Sequence, residues 1–272
     1  MTDPQRAIFI TGAASGIGRA TAELFHERGW LVGAYDLDQE ALTALARHLG
    51  ERCITGTLDV TDKPAFDAAM SAFTMHSGGR LDLMFNNAGI AIGGYLDELP
   101  FEKILAQVNV NFIGVLNGLH AALPWLQQTD NALCFSTASS AATFGTPGMA
   151  TYAATKYAIK GLTEAMSVEL ARYGARAADV SPGIIATPLW QGAHYVRGEE
   201  RQARDLAERN VDRTDASRTL GPETVAACVW EAYHGDKLHY YVPPELVERD
   251  RAKALTPEVL RDDLIANLTG RS

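Results

Sequence analysis

Short apolar runs alternate with amphipathic stretches along most of the chain. Ala7–Ile10 is apolar and ends in a glycine-rich turn, after which Gly16–Arg28 carries apolar residues at helical spacing. Trp30–Tyr35 is apolar again and closes on Asp36. Asp38 is placed to cap a helix through Leu49, and Arg52–Leu58 reads as a third strand. Asp62 opens a helix with Pro64 in its first turn, which ends near Ser77-Gly78-Gly79. Leu81–Asn86 predicts a strand, Phe101–Gln128 one long helix, Ala132–Ser136 a strand, and Ala150–Tyr173 a helix. Arg176–Val180 is a sixth strand, Pro222–His234 a helix, and Leu238–Val242 the last strand. Strands alternating with helices of this length call for right-handed crossovers. The predicted fold class is therefore α/β, doubly wound: a three-layer sandwich around a parallel sheet of about seven strands. No internal repeat interrupts the order, so residues 1–272 read as a single domain.

Two regions leave the alternation. Thr187–Leu220 is polar and helix-prone without a clear strand, and is expected to act as a lid over a substrate or, equally, to present a solvated charged face. Its apolar anchors are Leu189, Trp190, Tyr195 and Val196, and its charges include Arg197, Glu199, Glu200, Arg201 and Arg204. The extension from Pro243 to Ser272 contains Thr256-Pro257-Glu258, which fits an N-cap, an N1 proline and an acidic first turn. It predicts a helix packed on the outside or on a partner.

Composition narrows the partners. The formal charge is −9 with no basic cluster, so neither nucleic acid nor an anionic membrane surface is an expected target. No apolar stretch reaches membrane-spanning length, and Met1–Arg6 lacks the apolar core of a signal peptide, so the expectation is a cytoplasmic protein. Cys53, Cys134 and Cys228 are far apart and form no metal-ligand pattern; they read as small core thiols, and no metal is expected.

The candidate chemistry lies at three places. Gly12, Gly16 and Gly18 stand between the first strand and first helix, where glycine permits a tight turn and the helix N-terminus offers N–H groups to a pyrophosphate. The spacing differs from G-x-G-x-x-G. Asp36, at the end of the second strand, suits hydrogen bonds to an adenosine ribose and would repel a 2′-phosphate, which favours NAD over NADP. Arg19 is the nearest cation in sequence. Finally, Tyr152 and Lys156 project from one helix face, with Ser139 thirteen residues upstream of the tyrosine. A phenol ordinarily titrates near about 10. An ammonium roughly 5 Å away, at an effective dielectric of about 20, favours the phenolate by about 3 kcal/mol, so the phenol is expected to be drawn down toward neutral pH. Ser136 and Ser140 compete with Ser139 for a hydroxyl role, and Asn109 with Asn111.

Taken together, these residues resemble the short-chain dehydrogenase/reductase family from about Ala7 to Pro188. T-G-x-x-x-G-x-G matches at Thr11 to Gly18, N-N-A-G at Asn86 to Gly89, N-x-x-G at Asn111 to Gly114, and Y-x-x-x-K at Tyr152 and Lys156. Ser139 takes the place of the family's strand-end serine, and P-G-x-x-x-T matches at Pro182 to Thr187. The resemblance implies a Rossmann-type fold and a reversible hydride transfer between NAD(H) and an alcohol or carbonyl carbon. It implies that Tyr152 is the acid/base, that Lys156 lowers its pKa and binds the nicotinamide ribose, that Ser139 bonds the substrate oxygen, and that Asn111 holds a water in the proton relay. For the cofactor it implies Gly12, Ser15, Gly16, Ile17 and Gly18 at the pyrophosphate, Asp59 and Val60 beside the adenine, and Asn87, Ala88 and Gly89 along the adenosine. Pro182, Gly183, Ile185 and Thr187 belong to the carboxamide side. Asn86 is expected to stabilise the turn and not to touch cofactor.

The partner implied is a small-molecule alcohol or ketone, with substrate choice in Gly93–Leu99, Ala141–Met149 and Leu189–Leu220; His194 could touch it. A 3-oxoacyl or 3-hydroxyacyl thioester substrate and a non-catalytic NAD-binding sensor are the alternatives. The resemblance also implies a homodimer or homotetramer, paired through the helices that carry Asn111 and Tyr152. The chain departs from the family's usual V-D-G-G ending, reading His239-Tyr240-Tyr241-Val242-Pro243-Pro244 instead.

Overall fold

A computed structural model describes residues 5–196, 199–202 and 218–269. Seven parallel strands form one sheet: β1 (Ala7–Thr11), β2 (Leu31–Asp36), β3 (Cys53–Thr57), β4 (Leu83–Asn86), β5 (Leu133–Thr137), β6 (Arg176–Pro182) and β9 (His239–Val242). Their order across the sheet is β3-β2-β1-β4-β5-β6-β9. Winding therefore proceeds outward in both directions from the gap between β1 and β4, where crossovers diverge and a crevice opens at the carboxyl ends of the strands.

Strand alternation builds a core on each face. Ile8 and Ile10 point to one side and meet Phe25 of α1 (Gly16–Glu27), Leu42 and Leu45 of α2 (Gln39–Leu49), and Val229 and Tyr233 of α7 (Pro222–His234). Phe9 points to the other side, toward Phe66 and Phe73 of α3 (Lys63–His76). It stacks on Tyr35 with ring centres 4.2 Å apart and meets Phe73 edge-on at 5.6 Å. Full burial of such a ring contributes about 1.5–3 kcal/mol. The same face takes Leu119 from α5 (Gly114–Leu126) and Met166 and Leu170 from α6 (Ala150–Ala171). The three cysteines are buried and unpaired.

The helix starts follow their caps. Asp38 accepts the Ala41 N–H at 2.9 Å and Asp62 the Ala65 N–H at 3.0 Å, with Pro64 in the first turn of α3.

Three elements differ from the sequence expectation. The single helix expected over Phe101–Gln128 is α4 (Phe101–Val108) and α5 separated by a π turn at Asn109–Ile113, which rotates Asn111 into the interior. The helix-prone stretch after β6 holds a strand pair, β7 (Ala193–Val196) antiparallel to β8 (Glu199–Gln202). Arg197, Arg204 and half of the expected lid lie outside the described residues, as do the side chains of Trp190 and Arg201. The C-terminal extension forms two helices, α8 (Leu246–Leu255) and α9 (Pro257–Thr269). Here the Thr256 hydroxyl donates back to the Ala252 carbonyl at 3.1 Å, closing α8 and not capping α9. Among the described residues, no helix is long and apolar enough to cross a membrane.

Candidate functional site

Over the carboxyl ends of β1 and β4 lies a cleft of about 280 Å³. Its floor is the turn after β1, in which Gly12 (φ +68°) and Gly16 (φ +51°) occupy the left-handed region that disfavours a side chain. A Cβ at Gly12 would stand 2.8 Å from Ala88 Cα, and one at Gly18 only 2.0 Å from the Gly12 carbonyl oxygen. The start of α1 is thus pressed flat against the turn, leaving Ser15, Gly16 and Ile17 on the cleft wall while Gly18 packs behind it.

Asn87 fastens this arrangement. Its Nδ2 donates to the Thr11 and Gly12 carbonyls at 3.1 and 3.2 Å, and the Thr137 hydroxyl donates to its Oδ1 at 3.2 Å. Thr11 Oγ1 in turn accepts the N–H groups of Asn87 and Ala88. The turn-stabilising role expected of Asn86 therefore belongs to its neighbour. Asn86 points the opposite way, since adjacent strand residues alternate, and its Nδ2 lies 3.5 Å from Ser136 Oγ in the core.

At one end of the cleft, Asp36 takes the Ala14 N–H on Oδ2 at 3.0 Å and the Asp38 N–H on Oδ1 at 3.1 Å. A carboxylate has about four acceptor positions, so it keeps capacity toward the cleft that it lines. Arg19 faces away and pairs with Glu23 at 2.9 Å. Asp59 and Val60 line the same end; Asp59 Oδ1 is held by the Thr61 N–H and hydroxyl at 2.9 and 2.8 Å.

At the other end stand Gly89, Tyr152, Lys156 and Thr187. Both Tyr152 and Lys156 are buried, and the Lys156 Nζ lies 5.6 Å from the phenol ring centre. The ammonium donates to the Thr137 carbonyl at 2.7 Å, leaving two of its three donors unassigned to protein. Burial lowers the Lys156 pKa to about 8. Burial also raises that of Tyr152, against the opposing hydrogen bond from Ser139. This direction is opposite to the sequence expectation. The Lys156 ammonium 5.6 Å from the ring centre favours the phenolate, but burial takes that phenolate out of water and opposes its ionisation. The desolvation cost is the larger effect.

Ser139 and Asn111 sit behind that wall. Ser139 Oγ accepts the Ala141 N–H at 3.1 Å and reaches the Tyr152 phenol; Ser136 is in the core beside Asn86. Asn111 holds the backbone of Ile90 at both its polar groups, accepting the Ile90 N–H at 2.8 Å and donating to the Ile90 carbonyl at 2.9 Å. A Cβ at Gly89 would come within 3.3 Å of Asn111 Oδ1 and 3.7 Å of Lys156 Nζ, so this glycine keeps open the space that both polar groups face.

Pro182, Gly183 and Ile185 do not reach the cleft. Gly183 N–H bonds the Val242 carbonyl at 2.7 Å and Ile185 is buried beside Leu220. They carry the chain to Thr187, whose Cγ2 would meet a Cβ at Gly16 at 2.9 Å. Sequence reasoning missed the wall residues Leu37, Leu58, Ile90, Val110, Thr137 and Pro188. Their side chains carry no distinctive chemistry; the available signal was adjacency to strand ends and to the motifs.

A family model described as short chain dehydrogenase matches residues 6–195. Among curated relatives, a putative oxidoreductase, SadH, of Mycobacterium tuberculosis is 35% identical over 198 residues, covering 71% of this chain and 71% of that protein. The 3-oxoacyl-[acyl-carrier-protein] reductase FabG of Thermotoga maritima is 32% identical over 227 residues, 82% of this chain and 88% of the relative. Among solved structures, a short chain dehydrogenase/reductase from Burkholderia phymatum in complex with NAD superposes with a TM-score of 0.80 at 26% identity, covering 96% of this chain and 97% of the other.

Proposed function

The chain belongs to the short-chain dehydrogenase family, and from that premise we propose that it interconverts a secondary alcohol and a ketone with NAD(H), Tyr152 moving the hydroxyl proton. The observation that carries this reading is the meeting of Tyr152, Lys156 and Ser139 at one end of a glycine-floored cleft whose other end holds Asp36. The residues fit a nicotinamide dinucleotide: the floor is one that a Cβ at Gly12 would fill, and Asp36 retains acceptor capacity for ribose hydroxyls. The NAD complex of the Burkholderia phymatum structure supports the same cofactor.

A nicotinamide held there would supply hydride exchange with the carbon that bears the substrate oxygen. The protein's own part is orientation and the proton. Gly12, Ser15, Gly16 and Ile17 would take the pyrophosphate, Asp36 the adenosine ribose, and Asp59, Val60, Asn87, Ala88 and Gly89 the adenosine surroundings. Thr187 would hold the carboxamide end, with Pro182, Gly183 and Ile185 fixing its approach from behind. Lys156, with two donors left, would bind the second ribose and favour the phenolate. In alcohol oxidation Tyr152 Oη accepts the hydroxyl proton, and Ser139 Oγ donates to the substrate oxygen as its charge develops. The gap at Gly89 supports a water between Asn111 and Lys156 through which Tyr152 re-equilibrates with solvent.

A second reading, reduction of a 3-oxoacyl thioester, is favoured by the named activity of the Thermotoga maritima relative. Following NADH absorbance with secondary alcohols, ketones and a 3-oxoacyl thioester separates the two. Turnover of the thioester alone would replace the first reading with the second. We also propose a homo-oligomer paired through α4 and α6, supported by the exposed Phe101, Leu105 and Val168 on those helices and by the exposed Tyr173 just beyond the end of α6; a monomeric mass by light scattering would refute it.

A further inference from the structure

We infer that Asn117 is a positioning residue for the adenosine end of the cleft, holding in place the wall against which an adenine ring would lie; this rests on the cofactor reading above. Leu58, Asp59 and Val60 line the same end of the cleft as Asp36. They follow the last β2–β3 pair, Asp36 with Thr57, so their backbone groups must find partners outside the strand ladder. The segment is held bond by bond. Leu58 N–H bonds the Asp36 carbonyl at 2.9 Å, and Asp62 N–H bonds the Asp59 carbonyl at 3.1 Å. Between these two, Asn117 Nδ2 donates to the Val60 carbonyl at 2.9 Å in a buried contact.

Asn117 lies inside α5 and is buried, a position that favours an apolar side chain of better helix propensity. What the amide contributes there is the bond to Val60. Gly114 and Asn117 stand at i and i+3, on one face of α5, and Val60 meets both. A Cβ at Gly114 would stand 2.6 Å from Val60 Cγ2, so helix and valine are in direct contact. Val60 is thus fixed twice, by shape at Gly114 and by hydrogen bond at Asn117. Without the amide, the buried Val60 carbonyl would lack this donor, and relaxation toward another would carry Val60 and Asp59 away from Asp36. Asn117 itself stands behind the wall, and Tyr152 and Lys156 line the opposite end of the cleft. Its removal should therefore weaken adenosine binding and spare the chemical step.

The test is Asn117→Leu, which keeps the size of the side chain and removes its donor. AMP, which carries the adenosine without the nicotinamide, is titrated by calorimetry, and NADH kinetics are followed with a ketone that the wild type reduces. The expected result is a rise of at least about fivefold in both the AMP Kd and the NADH KM, with kcat at saturating NADH within about twofold of wild type. General damage to the fold would instead lower kcat or the number of AMP sites and leave the affinity of the remaining sites alone. Asn117→Ser, a smaller change with a hydroxyl too short to reach Val60, should show the same split and decides the matter if the leucine variant does not fold. Unchanged AMP affinity in a folded variant, or a fall in kcat as large as the rise in KM, would overturn the inference and leave the cofactor reading standing. Wild-type protein that binds neither AMP nor NADH would overturn both.

Discussion

Lys156 is expected to serve the reaction at the expense of the fold, and its replacement by methionine separates the two. Its ammonium is 5.6 Å from the Tyr152 ring centre, which at an effective dielectric near 20 is worth about 3 kcal/mol to the phenolate, or roughly two pH units. In Lys156→Met the rising limb of kcat against pH for alcohol oxidation should therefore move up by about two units. At a pH below both limbs, that is about a 100-fold loss. Stability should change the other way. The lysine pKa of about 8, against an ordinary 10.5, means that folding disfavours the charged amine by roughly 2.5 pH units, or about 3 kcal/mol at neutral pH. For a lysine with a depressed pKa this penalty is complete below about pH 8 and disappears as pH rises to 10.5. Methionine removes it and leaves the Thr137 carbonyl without its donor, at a cost of about 1–3 kcal/mol. Urea unfolding without cofactor should then find the variant as stable as wild type or up to about 2 kcal/mol more stable at pH 7. Wild type should gain stability relative to the variant between about pH 8 and 10.5. An unmoved kcat limb, or a variant several kcal/mol less stable at neutral pH, would refute the reasoning.

Asp36→Asn keeps an acceptor for the Ala14 N–H but removes the charge, so NAD affinity should fall by about 10- to 100-fold while NADP is rejected less strongly; calorimetric titration with both dinucleotides checks this, and unchanged selectivity would assign ribose recognition elsewhere. Asp250→Leu tests the C-terminal extension. Asp250 of α8 pairs with the buried Lys160 of α6 and accepts from Tyr241, and although burial opposes its ionisation, these partners hold its pKa below the ordinary value. Leaving Lys160 unpaired should destabilise the fold by about 3–5 kcal/mol in urea unfolding, and a loss under about 1 kcal/mol would mean that α8 is not anchored there.

What the sequence made legible was whatever a local physical rule determines. Asp38 and Asp62 announced two helix starts because their carboxylates have few alternatives to capping. Gly12 and Gly18 marked close approach because a side chain there would collide with backbone. The rest depends on tertiary context. The π turn at Asn109–Ile113 shows no break in helical periodicity, since it inserts into an otherwise continuous apolar pattern. Glu199–Gln202 reads as helix by propensity, yet is held as a strand by pairing with Ala193–Val196, whose Tyr195 is anchored to Gly93. The direction of the Tyr152 pKa was misjudged because spacing on a helix gives the distance to Lys156 but not how deeply both are buried. The turn-stabilising role expected of Asn86 falls to Asn87 for a similar reason: which of two adjacent asparagines faces the turn is a matter of strand phase.

The most direct test of the account is Tyr152→Phe, assayed for NADH-linked turnover of the best ketone or alcohol and, in the same preparation, for NAD binding. Loss of the proton-transferring oxygen should lower kcat by about 100- to 10,000-fold with dinucleotide affinity within about threefold of wild type. A variant that turns over at close to the wild-type rate would contradict the assignment of Tyr152 as the acid/base.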